Sequence, residues 1–294
     1  MKSGFVSIVG RPNVGKSTLL NKLLNKKIAI TSDKVGTTRN MIYGVYNEDD
    51  TQIVFVDTPG INKATSKLGE VLNKTAYSSF DNDLVLFLVD IASGFGPNDN
   101  KILNRLKEDN KDVILVLTKV DKIKKDKLYD EIAKLKDLYN FLDIVPISSV
   151  KGINTTELIE VIKKYLKDDV KYFDDDVITN VSERFLVGEI IREKILILTK
   201  EEVPHAVTCI VENMEFKKDK CYINACIVVD RDNLKGIIIG KNGQMLKKIG
   251  SMAREEIEVL LGKKVYLELF VKVIENWRQK PNLFEELGIS EEDD

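Results

Sequence analysis

Several residue types that usually announce a function are scarce here. One histidine, one tryptophan and three cysteines occur in 294 residues. Cys209, Cys221 and Cys226 form no C-x-x-C pair and leave an odd number, which fits reduced thiols in a core better than disulfides or zinc. The one histidine, His205, follows Pro204 in a loop, where a packing or turn role is expected rather than catalysis. No apolar run approaches the length of a membrane span: the longest covers residues 84–89. The start of the chain has no apolar segment ending in a small-residue cleavage site, so a secretory signal is not expected and a cytosolic location is. Charge of one sign is also missing. A formal net charge of −2 argues weakly against nucleic acid if evenly spread, so local clustering must decide. With 43% hydrophobic and 31% charged residues, the length suits a soluble chain of two domains.

What is present falls into two patterns. From residue 5 to about 166, apolar strand candidates at 5–9, 53–56, 84–90, 113–117 and 144–147 alternate with helix-like stretches. This predicts an α/β domain with a largely parallel sheet. Residues 41–46 fit an antiparallel edge strand paired with 52–56 across the polar 47–50 turn. KDDVKYFDDD (167–176) lacks apolar periodicity and reads as a linker. Beyond it a helix at 182–198, strands near 207–212 and 221–229, two helices flanking 240–243, a strand at 265–273 and a last helical segment predict an α+β domain. The expected limits are 1–167, a linker at 168–181 and 182–294, with a frayed solvated tail at 291–294.

GRPNVGKST (10–18) carries Gly10, Gly15, Lys16 and Ser17 at G-x-x-x-x-G-K-[ST] spacing. The glycines let backbone N–H groups of the loop, including those of Asn13, Val14 and Thr18, turn towards phosphate oxygens. Lys16 adds charge near the β and γ phosphates, and Ser17 offers a hydroxyl to Mg²⁺. This alone leaves ATP and GTP open. TKVD (118–121) favours guanine, because the Asp121 carboxylate can accept from N1–H and the 2-amino group, which adenine lacks; Lys119 packs along the base and Thr118 precedes it. DTPG (57–60) places Asp57 to hold a Mg²⁺-bound water and the Gly60 N–H to sense a γ-phosphate. In GTTR (36–39) a threonine hydroxyl can complete the Mg²⁺ shell, with Thr38 favoured over Thr37. SSVKG (148–152) offers backbone groups of Ser148, Ser149 and Val150 to the base. The expected catalytic set is Lys16, Thr38 and Gly60.

In IIIGKNGQMLKKIG (237–250) the turn Gly240, Lys241, Asn242, Gly243 can bring a helix–turn–helix bend against a nucleic-acid backbone, as in KH domains; a helix C-cap is the plain alternative. From 235 to 264 there are seven basic residues against three acidic ones, a local bias on the side of the glycine turn. The first set of motifs resembles the Era-like branch of the translation-factor-related GTPases. IIREKIL (190–196), EEVPHAV (201–207) and LGKKVYLELFVKVIENWR (261–278) extend the resemblance to the Era family over nearly the whole chain.

The resemblance implies an α/β P-loop GTPase domain, mostly parallel in its sheet, followed by an α+β type II KH domain. It implies GTP or GDP with Mg²⁺, and a K⁺ held with the help of Asn13, for which a loop hydrogen bond is the alternative. It further implies the 3′ end of 16S rRNA and the small ribosomal subunit as partners, no DNA, a monomer, and peripheral contact with the inner membrane face. RNA contacts carried over from the motif are Gly240, Lys241, Asn242 and Gly243, with Ile237 and Ile239 lining a base groove and Lys247 beside it. Three departures stand out. Thr118 replaces a commoner asparagine, with the expected loss of a contact bracing the loops. Ser149 replaces an alanine. Ile61 stands where many GTPases carry a water-orienting glutamine, which predicts slow intrinsic turnover and keeps open a competing reading, an RNA-binding scaffold with a structural nucleotide. Tyr266, Phe270 and Trp277 are expected in the second core.

Overall fold

A strand buried on both faces needs near-continuous apolar sequence, and LVLFLVD, Leu84–Asp90, is buried at every position. It lies inside a six-stranded sheet. The computed structural model describes residues 1–285 and 289 and divides into two units: Met1–Ala29 with Thr38–Lys63 and Leu72–Asn180, and Ile30–Thr37 with Ala64–Val71 and the chain from Val181 onward.

In the first unit β1 (Lys2–Val9), β2 (Ile42–Glu48), β3 (Thr51–Asp57), β4 (Leu84–Asp90), β5 (Val113–Thr118) and β6 (Asp143–Pro146) stand in the order β2-β3-β1-β4-β5-β6. Only β2 is antiparallel, pairing Ile42 with Asp57 as the 41–46 reading expected. The chain moves from β1 outward to β3, then returns to the other side of β1 for β4. The carboxyl end of β1 is thus the switch point where such sheets place ligands. Ile8 pairs with Asp57, so the loop after Val9 begins beside that carboxylate. One sheet face is covered by Ile102, Leu103 and Leu106 of α3 (Pro97–Glu108) and Leu135 of α4 (Lys125–Leu135). The helices α1 (Lys16–Leu23) and α5 (Thr155–Tyr165) touch each other, and α2 spans Lys67–Ser78.

The acidic stretch expected as a linker does not hang free. Asp168 bridges to Ser3 and Thr179 to Gly44. The Gln52 side chain accepts from the N–H groups of Tyr172 (2.8 Å) and Phe173 (3.0 Å) and donates to the Phe173 carbonyl (2.9 Å). The Tyr172 ring meets Phe5 edge-on at 4.8 Å. A buried glutamine that finds three backbone partners explains why so polar a segment adheres.

The second unit begins with α6 (Glu183–Leu198), capped by Ser182, whose hydroxyl accepts from the Phe185 N–H. Antiparallel β7 (Val207–Phe216) and β8 (Lys220–Val229) follow, then α7 (Asp232–Ile239), α8 (Gln244–Leu261) and β9 (Lys264–Val273), which is parallel to β8. Ile249, Ala253 and Ile257 of α8 are fully buried in the core, as their spacing predicts. Trp277 is also fully buried and donates to the Ala206 carbonyl at 3.2 Å. Tyr266 and Phe270 are not in that core, contrary to expectation: each is about half exposed. Strand alternation turns Val265, Leu267, Leu269, Val271 and Val273 inward and sends Tyr266 and Phe270 to the other face. Among the described residues the last helical segment consists of single turns at Trp277–Gln279 and Pro281–Leu283, and the 291–294 tail lies outside them.

Candidate nucleotide site and nucleic-acid groove

The phosphate-type loop leaves β1 and enters α1 through Gly15, whose φ of 104° is open to glycine and strained for other residues. Lys16 then lies almost wholly buried, its ammonium donating to the carbonyls of Gly10 (3.3 Å) and Arg11 (3.4 Å). Burial lowers its pKa, against the pull of Asp57. A buried cation whose hydrogen bonds, among the described residues, are to carbonyls at long range is held ready for an anion.

Beside it three elements bring oxygen atoms together. Ser17 Oγ of α1 donates to Asp57 Oδ2 of β3 at 2.6 Å and lies 2.8 Å from Thr38 Oγ1. Asp57 is fully buried, and burial pushes its carboxyl up to about 6, opposed by Lys16 and the Ser17 hydroxyl. Its other oxygen, Oδ1, is buried with no hydrogen-bond partner of good geometry among the described residues. Two hydroxyls and a carboxylate with an unsatisfied oxygen suit a hard divalent cation such as Mg²⁺. Thr38, not Thr37, reaches this cluster, because the Thr37 hydroxyl donates to the Lys34 carbonyl at 2.7 Å.

Gly60 presses on the same loop: a Cβ there would sit 2.8 Å from the Pro12 backbone. Ile61, the next residue, is buried in the apolar cluster over the sheet, so its side chain serves packing.

The loops after β5 and β6 close round the first. Contrary to expectation, Thr118 does brace them: its hydroxyl contacts the carbonyls of Val14 (2.7 Å) and Val89 (3.3 Å). A shorter side chain suffices because β5 and β4 run in register here, Asp90 beside Thr118. Lys119 donates to the Asn13 carbonyl (2.6 Å) and pairs with Asp90 (2.7 Å). Asp121 is exposed on the single turn that follows. Ser148 is buried and exchanges backbone hydrogen bonds with Ile153, its hydroxyl accepting from Lys151 N–H, while Ser149 is half-buried and Val150 exposed. Arg11 and Asp90 escaped the motif reading. Arg11 pairs with buried Asp99 at 3.3 Å and donates to Ser93 and Gly94, tying the loop to the end of β4; an aspartate ending an apolar strand was the available signal.

In the second unit Gly240, Asn242 and Gly243 all have positive φ, which turns the chain sharply between α7 and α8 and leaves Lys241 and Asn242 exposed. Next to this turn, α8 and β9 enclose a groove of about 610 Å³ whose lining includes Gly243, Leu246, Lys247, Arg254, Tyr266 and Leu267. Ile237 and Ile239 are not among its lining residues; Ile238 is the member of that run packed into the core, and Ile237 is about half exposed. Arg254 was missed as a groove residue, since a basic residue on a helix has commoner uses.

Two family models match: a 50S ribosome-binding GTPase over residues 5–119 and a KH domain over residues 202–278. The structure of a variant of Aquifex aeolicus Era bound to GDP·AlF₄⁻ is 43% identical, with a TM-score of 0.95, covering 99% of this chain and 100% of that one. This chain belongs to the Era family. A second Era structure, in complex with MgGDPNP and nucleotides 1506–1542 of 16S ribosomal RNA, is also 43% identical, with a TM-score of 0.96 and the same coverage. The match runs through both units, so the GTPase and KH halves of the Era architecture are both present.

Proposed function

We propose that this Era-family chain is a GTP-hydrolysing switch that binds the 3′ end of 16S rRNA through its KH domain and assists assembly of the small ribosomal subunit. The observation that carries the reading is the joint presence, in one chain, of the Ser17–Asp57–Thr38 oxygen cluster beside a buried lysine and of a basic groove beside the glycine turn.

In this reading the backbone of residues 10–18 and Lys16 hold the β and γ phosphates, with the N-terminus of α1 facing the same anions. Ser17 and Thr38 would hold Mg²⁺, with Asp57 supporting it through a water; the ion would supply charge neutralisation on the phosphate oxygens. The Gly60 N–H faces the γ-phosphate. Asp121 accepts from guanine, Lys119 lies along the base, and Ser148, Ser149 and Val150 offer backbone groups. With Ile61 committed to the core, the chain supplies no side chain there to orient water, so unassisted hydrolysis is slow; Asn13 would help hold a K⁺, which would supply the missing charge. Gly240, Lys241, Asn242 and Gly243 meet the RNA backbone, and Lys247 and Arg254 line the path of the bases.

The location proposed is the cytoplasm, with peripheral contact to the inner membrane face as its finer part. No described helix is long and apolar enough to cross a membrane. Co-sedimentation with anionic vesicles tests that part.

The experiment for the whole reading titrates an RNA copying the 16S rRNA 3′ end into the chain loaded with a non-hydrolysable GTP analogue or with GDP. Unequal affinities are expected and measure the coupling between the two sites. Equal affinities favour the scaffold reading, to which the burial of Ile61 already lends support.

A further inference from the structure

Helix α6 is apolar along most of its length, yet three consecutive charged residues in it, Arg192, Glu193 and Lys194, are buried. Burial of charge is costly unless each group is paired. Lys194 is satisfied by Glu193 (2.8 Å) and Glu256. The other two reach a stretch far away in sequence. Glu193 Oε1 accepts from the Thr31 N–H at 2.9 Å. Arg192 places one side of its fork on Glu189, at 2.7 and 2.6 Å, and donates with the other to the carbonyls of Gly36 (3.4 Å) and Thr37. Adjacent helix residues therefore grip both ends of Ile30–Thr37, a segment without helix or strand that clusters with this unit. The residue after it is Thr38, whose hydroxyl joins Ser17 and Asp57.

Neutralising Glu189 needs only half of the guanidinium. The other half is spent on two peptide carbonyls whose orientation determines where the next side chain points. Arg192 touches none of the three oxygens of the cluster, so any effect it has there passes through the 36–38 backbone.

We propose that Arg192, oriented by Glu189, is a positioning residue: by holding the Gly36 and Thr37 carbonyls it presents the Thr38 hydroxyl to the nucleotide site, and it does so for the triphosphate state in particular. This rests on the nucleotide site proposed above. Contacts of such a threonine with Mg²⁺ and a γ-phosphate are made with a triphosphate and released after hydrolysis. Loss of the Arg192 grip therefore weakens triphosphate binding and spares the diphosphate.

The test uses the full chain and calorimetric titration of a non-hydrolysable GTP analogue and of GDP, each with Mg²⁺. Arg192→Gln is expected to weaken the analogue about tenfold, the scale of one charge-assisted hydrogen bond, and to change GDP binding less than about twofold. Arg192→Lys, which keeps the charge and loses the fork, gives the same selectivity in smaller measure and decides the matter if the glutamine variant fails to fold. In a Thr38→Ala background Arg192→Gln adds nothing further. Equal weakening of both nucleotides, an unchanged preference, or additive effects in the double variant overturn the proposal. An unsubstituted chain that binds neither nucleotide instead overturns the site on which it rests.

Discussion

The two anion-directed surfaces of this chain are built in opposite ways. In the first unit Lys16 and Asp57 are buried, their charges held by neighbours and by backbone. In the second, Lys241 is exposed on the glycine turn, and Lys247 and Arg254 are exposed along the open groove beside it. A buried site gives each polar contact a large differential energy and fixes geometry before the ligand arrives; an exposed one attracts a long polyanion with little commitment to any single contact. The contrast suits ligands of different kinds, one small and gripped through buried groups, one extended and tracked by its backbone.

Four experiments sharpen or break that contrast. The largest effect is expected from Lys16→Ala, which removes the buried ammonium of the loop and should weaken GTP by about a hundredfold or more, as for a fully desolvated charge contact; calorimetry that finds unchanged affinity breaks the assignment. Next is Asp57→Asn in the nucleotide-free chain. The Asp57 carboxyl is neutral in both folded and unfolded chains below 3.8; as pH rises the unfolded chain ionises first, so the folded state bears a penalty that grows until about pH 6 and is constant above it. The asparagine variant escapes that penalty. It should be more stable than the parent by up to about 3 kcal/mol above pH 6, with the gain fading towards pH 4, as read from hydrogen exchange of the β1 and β3 amides. A gain independent of pH contradicts the assignment.

A smaller effect follows from Thr118→Val, which deprives the Val14 and Val89 carbonyls of a buried donor. It should cost about 1 kcal/mol and speed release of both nucleotides alike; release of only one means that the hydroxyl is not a general brace. The smallest concerns the groove. Lys247→Ala should weaken RNA only a few-fold and reduce the slope of log affinity against log salt by about 0.7. An effect on nucleotide affinity in the absence of RNA contradicts its place in the groove.

Much of this was legible without coordinates wherever a local pattern sufficed. The apolar run of β4 ends at Asp90 as read, and the antiparallel edge strand pairs across the expected turn. Other features depended on distant partners. Nothing in KDDVKYFDDD announces that Gln52, more than a hundred residues earlier, will anchor it. Thr118 looked like a lost brace because its reach depends on how closely β5 lies to the Val14 carbonyl. Tyr266 and Phe270 share a strand with core residues, and only the pairing of β9 with β8 decides which face meets the helices.

The sequence by itself determined the chemistry on offer: a loop of phosphate-binding pattern, a carboxylate of the type that suits guanine, a glycine turn among basic residues, each encoded within a few positions because backbone conformation and side-chain type are local properties. The tertiary structure alone decided how these parts are held. It buried Lys16 and Asp57 side by side, sent Ile61 into the core, placed Arg254 and Leu267 in one groove and closed Arg192 on the peptides before Thr38. Each of those outcomes joins residues far apart in the chain, and burial and hydrogen-bond geometry exist only once the fold has brought them together.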